Sequence, residues 1–170
     1  MALISLDLIG LFLGLIVTVA YVILLALQPY RQEVLRPRRE GFSAPLFGLA
    51  VLGAVPLLWY ALTVAGYQRN GLPKDPHVAQ GHWYVMGAMA IGIVLTAVLS
   101  SLKFRGWAIT AWSAAGAVAL YGLASVVYPR YPGAEGTGWG IAAIVGGLVF
   151  AGVAEWERRR SPRPLERIPA

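Results

Sequence analysis

Two histidines and an acid lie close together in the segment Asp75-Pro76-His77-Val78-Ala79-Gln80-Gly81-His82, and nothing else in the 170 residues comes nearer to a metal site by residue type and spacing. Imidazole suits zinc, iron or copper, and a carboxylate can complete such a set. A closed site needs a further strong ligand at motif spacing, and this segment supplies none. Haem held between membrane helices would want its histidines within the helices. His77 and His82 are therefore the metal candidates to test, and the preferred reading leaves both unligated, with His82 heading a helix.

Other chemistries lack their residues. There is no cysteine, which removes disulfides, thiolate metal sites and a thiol nucleophile. No serine is spaced with a histidine base, no two carboxylates face each other in an apolar segment, and the glycines form no phosphate cradle after a strand. Proton relays and voltage sensors need ionisable groups at membrane depth. Asp7 sits at one end of an apolar run, where it complements a helix dipole; Lys103 and Arg105 belong to a turn; Glu155 and Glu157 lie where the last apolar run meets the C-terminal tail. Hydroxyls inside the runs, such as Thr18, Thr63, Thr96, Thr110, Ser113 and Ser125, are expected to bond back to their own backbone or to a neighbouring helix. No catalytic residue, and hence no enzyme, is expected. No cofactor is expected either, beyond a bound lipid, or a pigment or quinone shared at a subunit interface.

The elements that would position these residues are membrane spans. With 58% hydrophobic and 13% charged residues, the chain is far from the roughly 25% charged composition of soluble domains. Apolar runs cover residues 8–27, 44–67, 83–102, 107–128 and 139–154, each near the ~20 residues that cross ~30 Å of hydrocarbon. The breaks between them carry charge, Gly71, Pro73, Pro129 and Gly138. The expected fold is an all-α integral membrane protein: one bundle of about five transmembrane helices over residues 1–157, then a basic, proline-rich tail over 158–170.

Charge orients the bundle. Arg31, Arg36, Arg38, Arg39, Lys103, Arg105, Arg158, Arg159, Arg160, Arg163 and Arg167 fall on one side of a five-span alternation, and only Arg69, Lys74 and Arg130 on the other. Positive-inside logic puts the N-terminus outside and the C-terminus in the cytoplasm, in what is expected to be the inner membrane of a bacterium. The net charge of +6 is spread between apolar runs, not along one stripe, so nucleic acid is not an expected partner. Arg36, Arg38 and Arg39, with Arg158, Arg159 and Arg160, are the expected contacts to anionic lipids or to other membrane subunits. Tyr67, Trp83, Tyr84, Tyr128, Tyr131 and Trp139 at one boundary, and Tyr30, Trp107 and Trp156 at the other, are expected to sit in the headgroup layers.

Small residues recur every fourth position: Gly10, Gly14 and Thr18; Ala88, Gly92, Thr96 and Ser100; Ala111, Ala115 and Ala119; Ala143, Gly147 and Ala151. Such rows let helix backbones approach closely, and Gly10, Gly14, Gly92, Ala115 and Gly147 are the expected packing positions. Pro56 should kink the second run. Packing surfaces without embedded charges suit a non-catalytic accessory subunit of a larger membrane complex, energy-converting by class analogy, such as respiratory or photosynthetic electron transport. The alternatives are a small oligomeric transporter or channel, and a lipid- or quinone-binding membrane protein.

Overall fold

The computed structural model describes residues 19, 20, 23, 27, 41–71, 78 and 80–160. Nearly all lie in four helices: α1, Ala44–Asn70; α2, His82–Ser101; α3, Trp107–Val127; and α4, Thr137–Arg160. Each is long and apolar enough to cross a membrane, and among the described residues there is no β-strand. The described residues thus form an all-helical bundle whose four helices have the length and composition of membrane spans. A fifth span over 8–27 lies outside the described residues, apart from Val19, Ala20, Ile23 and Leu27, which are helical and exposed.

Local chemistry sets the helix ends. Ser43 caps α1, its hydroxyl accepting from the Leu46 N–H at 3.1 Å, and a proline follows in the first turn. At the far end Gly71 takes the left-handed conformation, φ 65°, and its N–H bonds the Tyr67 carbonyl. Thus α1 runs three residues past the expected limit, and it is helical through Pro56. The larger difference is α4, expected over 139–154 and observed over Thr137–Arg160. Glu155 accepts from Arg158 at 2.7 Å and from Arg159 at 2.8 Å; these i,i+3 and i,i+4 pairs carry the helix beyond its apolar limit. Arg158, Arg159 and Arg160 therefore stand on a helix, where a proline-broken tail was expected. Residues 161–170 are outside the described region.

The inside is rich in alanine, with a few large side chains such as Tyr60, Trp83 and Phe150, and the outside carries many large apolar ones. Ala50, Ala61, Ala90, Ala111, Ala114, Ala151 and Ala154 are buried, while Leu52, Leu62, Ile109 and Leu148 are more than three-fifths exposed. That distribution suits a lipid surround, where close backbone approach and not the hydrophobic effect holds helices together. α1 packs chiefly on α2 and α3 on α4; α2 meets α3 less extensively, and α1 and α4 barely touch.

The closest seam is α3 on α4. A Cβ added at Gly147 would come 2.7 Å from the Ala115 carbonyl oxygen, and one at Gly140 would come 2.6 Å from the Gly122 carbonyl oxygen. Gly147 and Ala115 therefore meet in one contact, with Gly122 and Gly140 as its continuation. A Cβ at Gly92 would meet nothing within 4 Å, whereas one at Gly87 would come 3.3 Å from the Ala61 carbonyl oxygen. Gly87 lies on the face of α2 that meets α1. Gly10 and Gly14 lie outside the described residues.

Two of the aromatic residues expected in the headgroup layers are buried within the bundle, at the starts of α2 and α3. Trp83 is fully buried, its ring 5.6 Å from that of Tyr67 in an edge-on contact, and Trp107 is 6% exposed. Tyr84, Tyr128, Tyr131, Trp139 and Trp156 are about half exposed or more, as headgroup-layer residues would be. The hydroxyl reading matches at several sites: Thr63 bonds the Trp59 carbonyl, Thr96 that of Gly92, Ser100 that of Ala97 and Ser101 that of Val98.

Candidate functional site

Because α1 and α4 diverge, a cavity of about 550 Å³ opens between them, backed by α2 and α3. Its walls are almost wholly apolar, including Leu49, Val94, Val118 and Phe150. Its volume falls within the ~300–1,000 Å³ range of small-molecule sites. The wall glycines Gly53 on α1 and Gly146 on α4 are open to it, since a Cβ at either would meet nothing within 4 Å. Gly146 and Gly147 are thus neighbours in sequence with opposite surroundings, one facing the void and the other jammed against α3.

Polar groups gather at the end nearest the α3–α4 loop, where Tyr121, Glu135 and Trp139 line the cavity. Glu135 is the one charged residue among the described lining. It is half-buried just before α4, with no ion pair or hydrogen bond among the described residues. The Tyr121 hydroxyl is buried and makes no well-formed hydrogen bond. Tyr60 packs edge-on to it, with ring centroids 5.1 Å apart, and donates to the Gly133 carbonyl at 3.2 Å, which ties α1 to the same loop. None of Tyr60, Tyr121 or Glu135 stood out in the sequence. Their grouping depends on how α3 turns back into α4, and no local spacing encodes it.

A second polar cluster lies at the opposite end of the bundle. The Glu157 carboxylate accepts from the Ser43 hydroxyl at 2.6 Å and lies 2.7 Å from Lys103 Nζ. Glu157 is 8% exposed and Ser43 2%. Lys103 holds a left-handed backbone, φ 47°, uncommon for a residue with a Cβ, and its ammonium also lies 4.8 Å from the Trp107 ring centroid. The Ser43 N–H bonds the Ser101 carbonyl at 2.8 Å. One carboxylate thereby joins the start of α1, the α2–α3 turn and the end of α4. The sequence held one signal of this: Glu157 is three residues beyond Ala154 and seven beyond Phe150, on the buried stripe of α4.

The remaining candidates among the described residues stay apart from both clusters. Arg158 and Arg159 are exposed and pair with Glu155, and Arg160 lies 4.0 Å from the Trp156 ring. Arg36, Arg38 and Arg39 are outside the described residues, as is His77. His82 begins α2, its ring 6.1 Å from that of Trp83. Among the described residues no three His, Cys, Asp or Glu side chains converge as metal ligands. No family model, curated protein or solved structure matches the chain.

Proposed function

We propose that this chain is a non-catalytic membrane bundle that holds a long-chain hydrophobic guest, a lipid or a quinone, between α1 and α4. The observation that carries this reading is the apolar cavity whose few polar groups converge at one end. An elongated guest with one polar head would satisfy both. Such a bundle suits an accessory role beside other subunits of a membrane complex, electron transport included. The open α1–α4 seam, where the two helices barely touch, gives a guest a lateral route from the bilayer and gives a neighbouring subunit access to it.

The five-span topology belongs to the same proposal. Residues 8–27 supply the additional span, the N-terminus lies outside and the C-terminus in the cytoplasm of a bacterial cell. The Lys103–Glu157 contact supports part of this, since it sets the α2–α3 turn and the end of α4 at one end of the bundle, as alternating spans require. Reporters fused after Glu40, Asp75, Arg105, Arg130 and Ala170 should alternate, with Ala170 cytoplasmic.

The functional test is guest retention. The purified full chain should carry about one equivalent of an extractable long-chain compound. Gly53→Leu and Gly146→Leu, which fill the cavity from opposite walls without meeting a neighbour, should each remove it while the bundle stays folded. Retention at the native level in both variants would exclude the cavity as the site.

A further inference from the structure

The cavity has a depth and a charge, and together they specify the guest's head. From Trp139 to Phe150 the lining follows α4 for eleven steps, about 16 Å at 1.5 Å per residue. That is close to one leaflet of a ~30 Å hydrocarbon core. A single acyl chain entering from the loop end would therefore end near the mid-plane, leaving its head level with Glu135 and the half-exposed Trp139, a side chain of the kind enriched at membrane interfaces.

At that level the protein offers one carboxylate, that of Glu135. An apolar chain that fills the cavity expels water from beside Glu135, and a carboxylate that loses water without gaining a cation or donors is strongly disfavoured. An anionic head would add repulsion to that loss. A primary ammonium brings opposite charge and three donors to the same point.

Resting on the guest-binding reading above, we infer that the cavity selects an amphiphile with an ammonium head, as in an aminophospholipid, and that Glu135 is the residue that selects it. The full chain is placed in nanodiscs of equimolar phosphatidylethanolamine and phosphatidylglycerol with matched acyl chains, re-extracted in mild detergent, and its retained lipid counted by native mass spectrometry. The native chain should retain one lipid with the ethanolamine form favoured about tenfold, equivalent to about 1.4 kcal/mol and near the lower end for hydrogen bonds to charged groups. Glu135→Gln should still retain a lipid but lose the preference. Gly146→Leu and Gly53→Leu should retain neither. A native chain without preference, a Glu135→Gln chain that keeps it, or retention of a quinone in place of lipid overturns the headgroup inference and leaves guest binding standing. A native chain that retains nothing, or cavity-filling variants that retain as much as the native one, overturns guest binding itself.

Discussion

Substituting alanine at two adjacent glycines of α4 should move stability in opposite directions. A Cβ at Gly147 would sit 2.7 Å from the Ala115 carbonyl oxygen and 3.3 Å from both the Ala119 Cβ and its N. Carbon and carbonyl oxygen approach to about 3.3 Å even in favourable C–H···O contacts, so α3 and α4 must part locally by roughly 0.6 Å. Overpacking of this kind costs about 1–3 kcal/mol. At Gly146 the added methyl meets nothing within 4 Å, and alanine is favoured over glycine inside a helix by about 1 kcal/mol. The same propensity gain offsets part of the overpacking at Gly147, so at roughly 2–4 °C per kcal/mol for a chain of this size Gly147→Ala should lower Tm by up to about 8 °C while Gly146→Ala leaves it unchanged or raises it. Thermal unfolding in detergent, followed by circular dichroism, reads both. Equal shifts, or a loss at Gly146 alone, would refute the reasoning that these neighbours face a helix seam and a void.

The Ser43–Lys103–Glu157 cluster should behave as a buried ion pair. Removing one partner from a fully buried pair is destabilising by about 3–5 kcal/mol, and residual exposure of Lys103 should bring Glu157→Gln nearer about 2–3. Lys103→Met combined with Glu157→Gln should be less damaging than either alone, and unfolding midpoints of the three variants decide it; a strictly additive double variant would count against a coupled pair. Exchange of His77 and His82 for alanine together should leave the metal and pigment content of the purified chain unchanged, as checked by elemental analysis and absorption spectra. Loss of a bound metal would restore the histidine site. Arg158→Ala with Arg159→Ala should leave Tm unchanged, because these ion pairs are exposed and screened.

The sequence alone determined where the four described helices lie and that each is long and apolar enough to cross a membrane. Hydrocarbon thickness fixes the length of an apolar run, and charge and turn residues interrupt it, so the limits of α1, α2 and α3 fall within three residues of expectation. It also marked Ala115 and Gly147 as small enough for close contact. It did not say which small residues are used: Gly87 and Gly92 look alike in sequence, and only the rotation of α2 against α1 puts one in a seam and leaves the other open. The tertiary structure likewise decided that Trp83 and Trp107 point inward, that Glu157 meets Ser43, 114 positions away, and that α1 and α4 diverge around a cavity with Glu135 at its polar end. Each of these depends on how helices rotate and diverge. Periodicity along one helix carries no information about that, because in lipid nearly every face of a span is apolar.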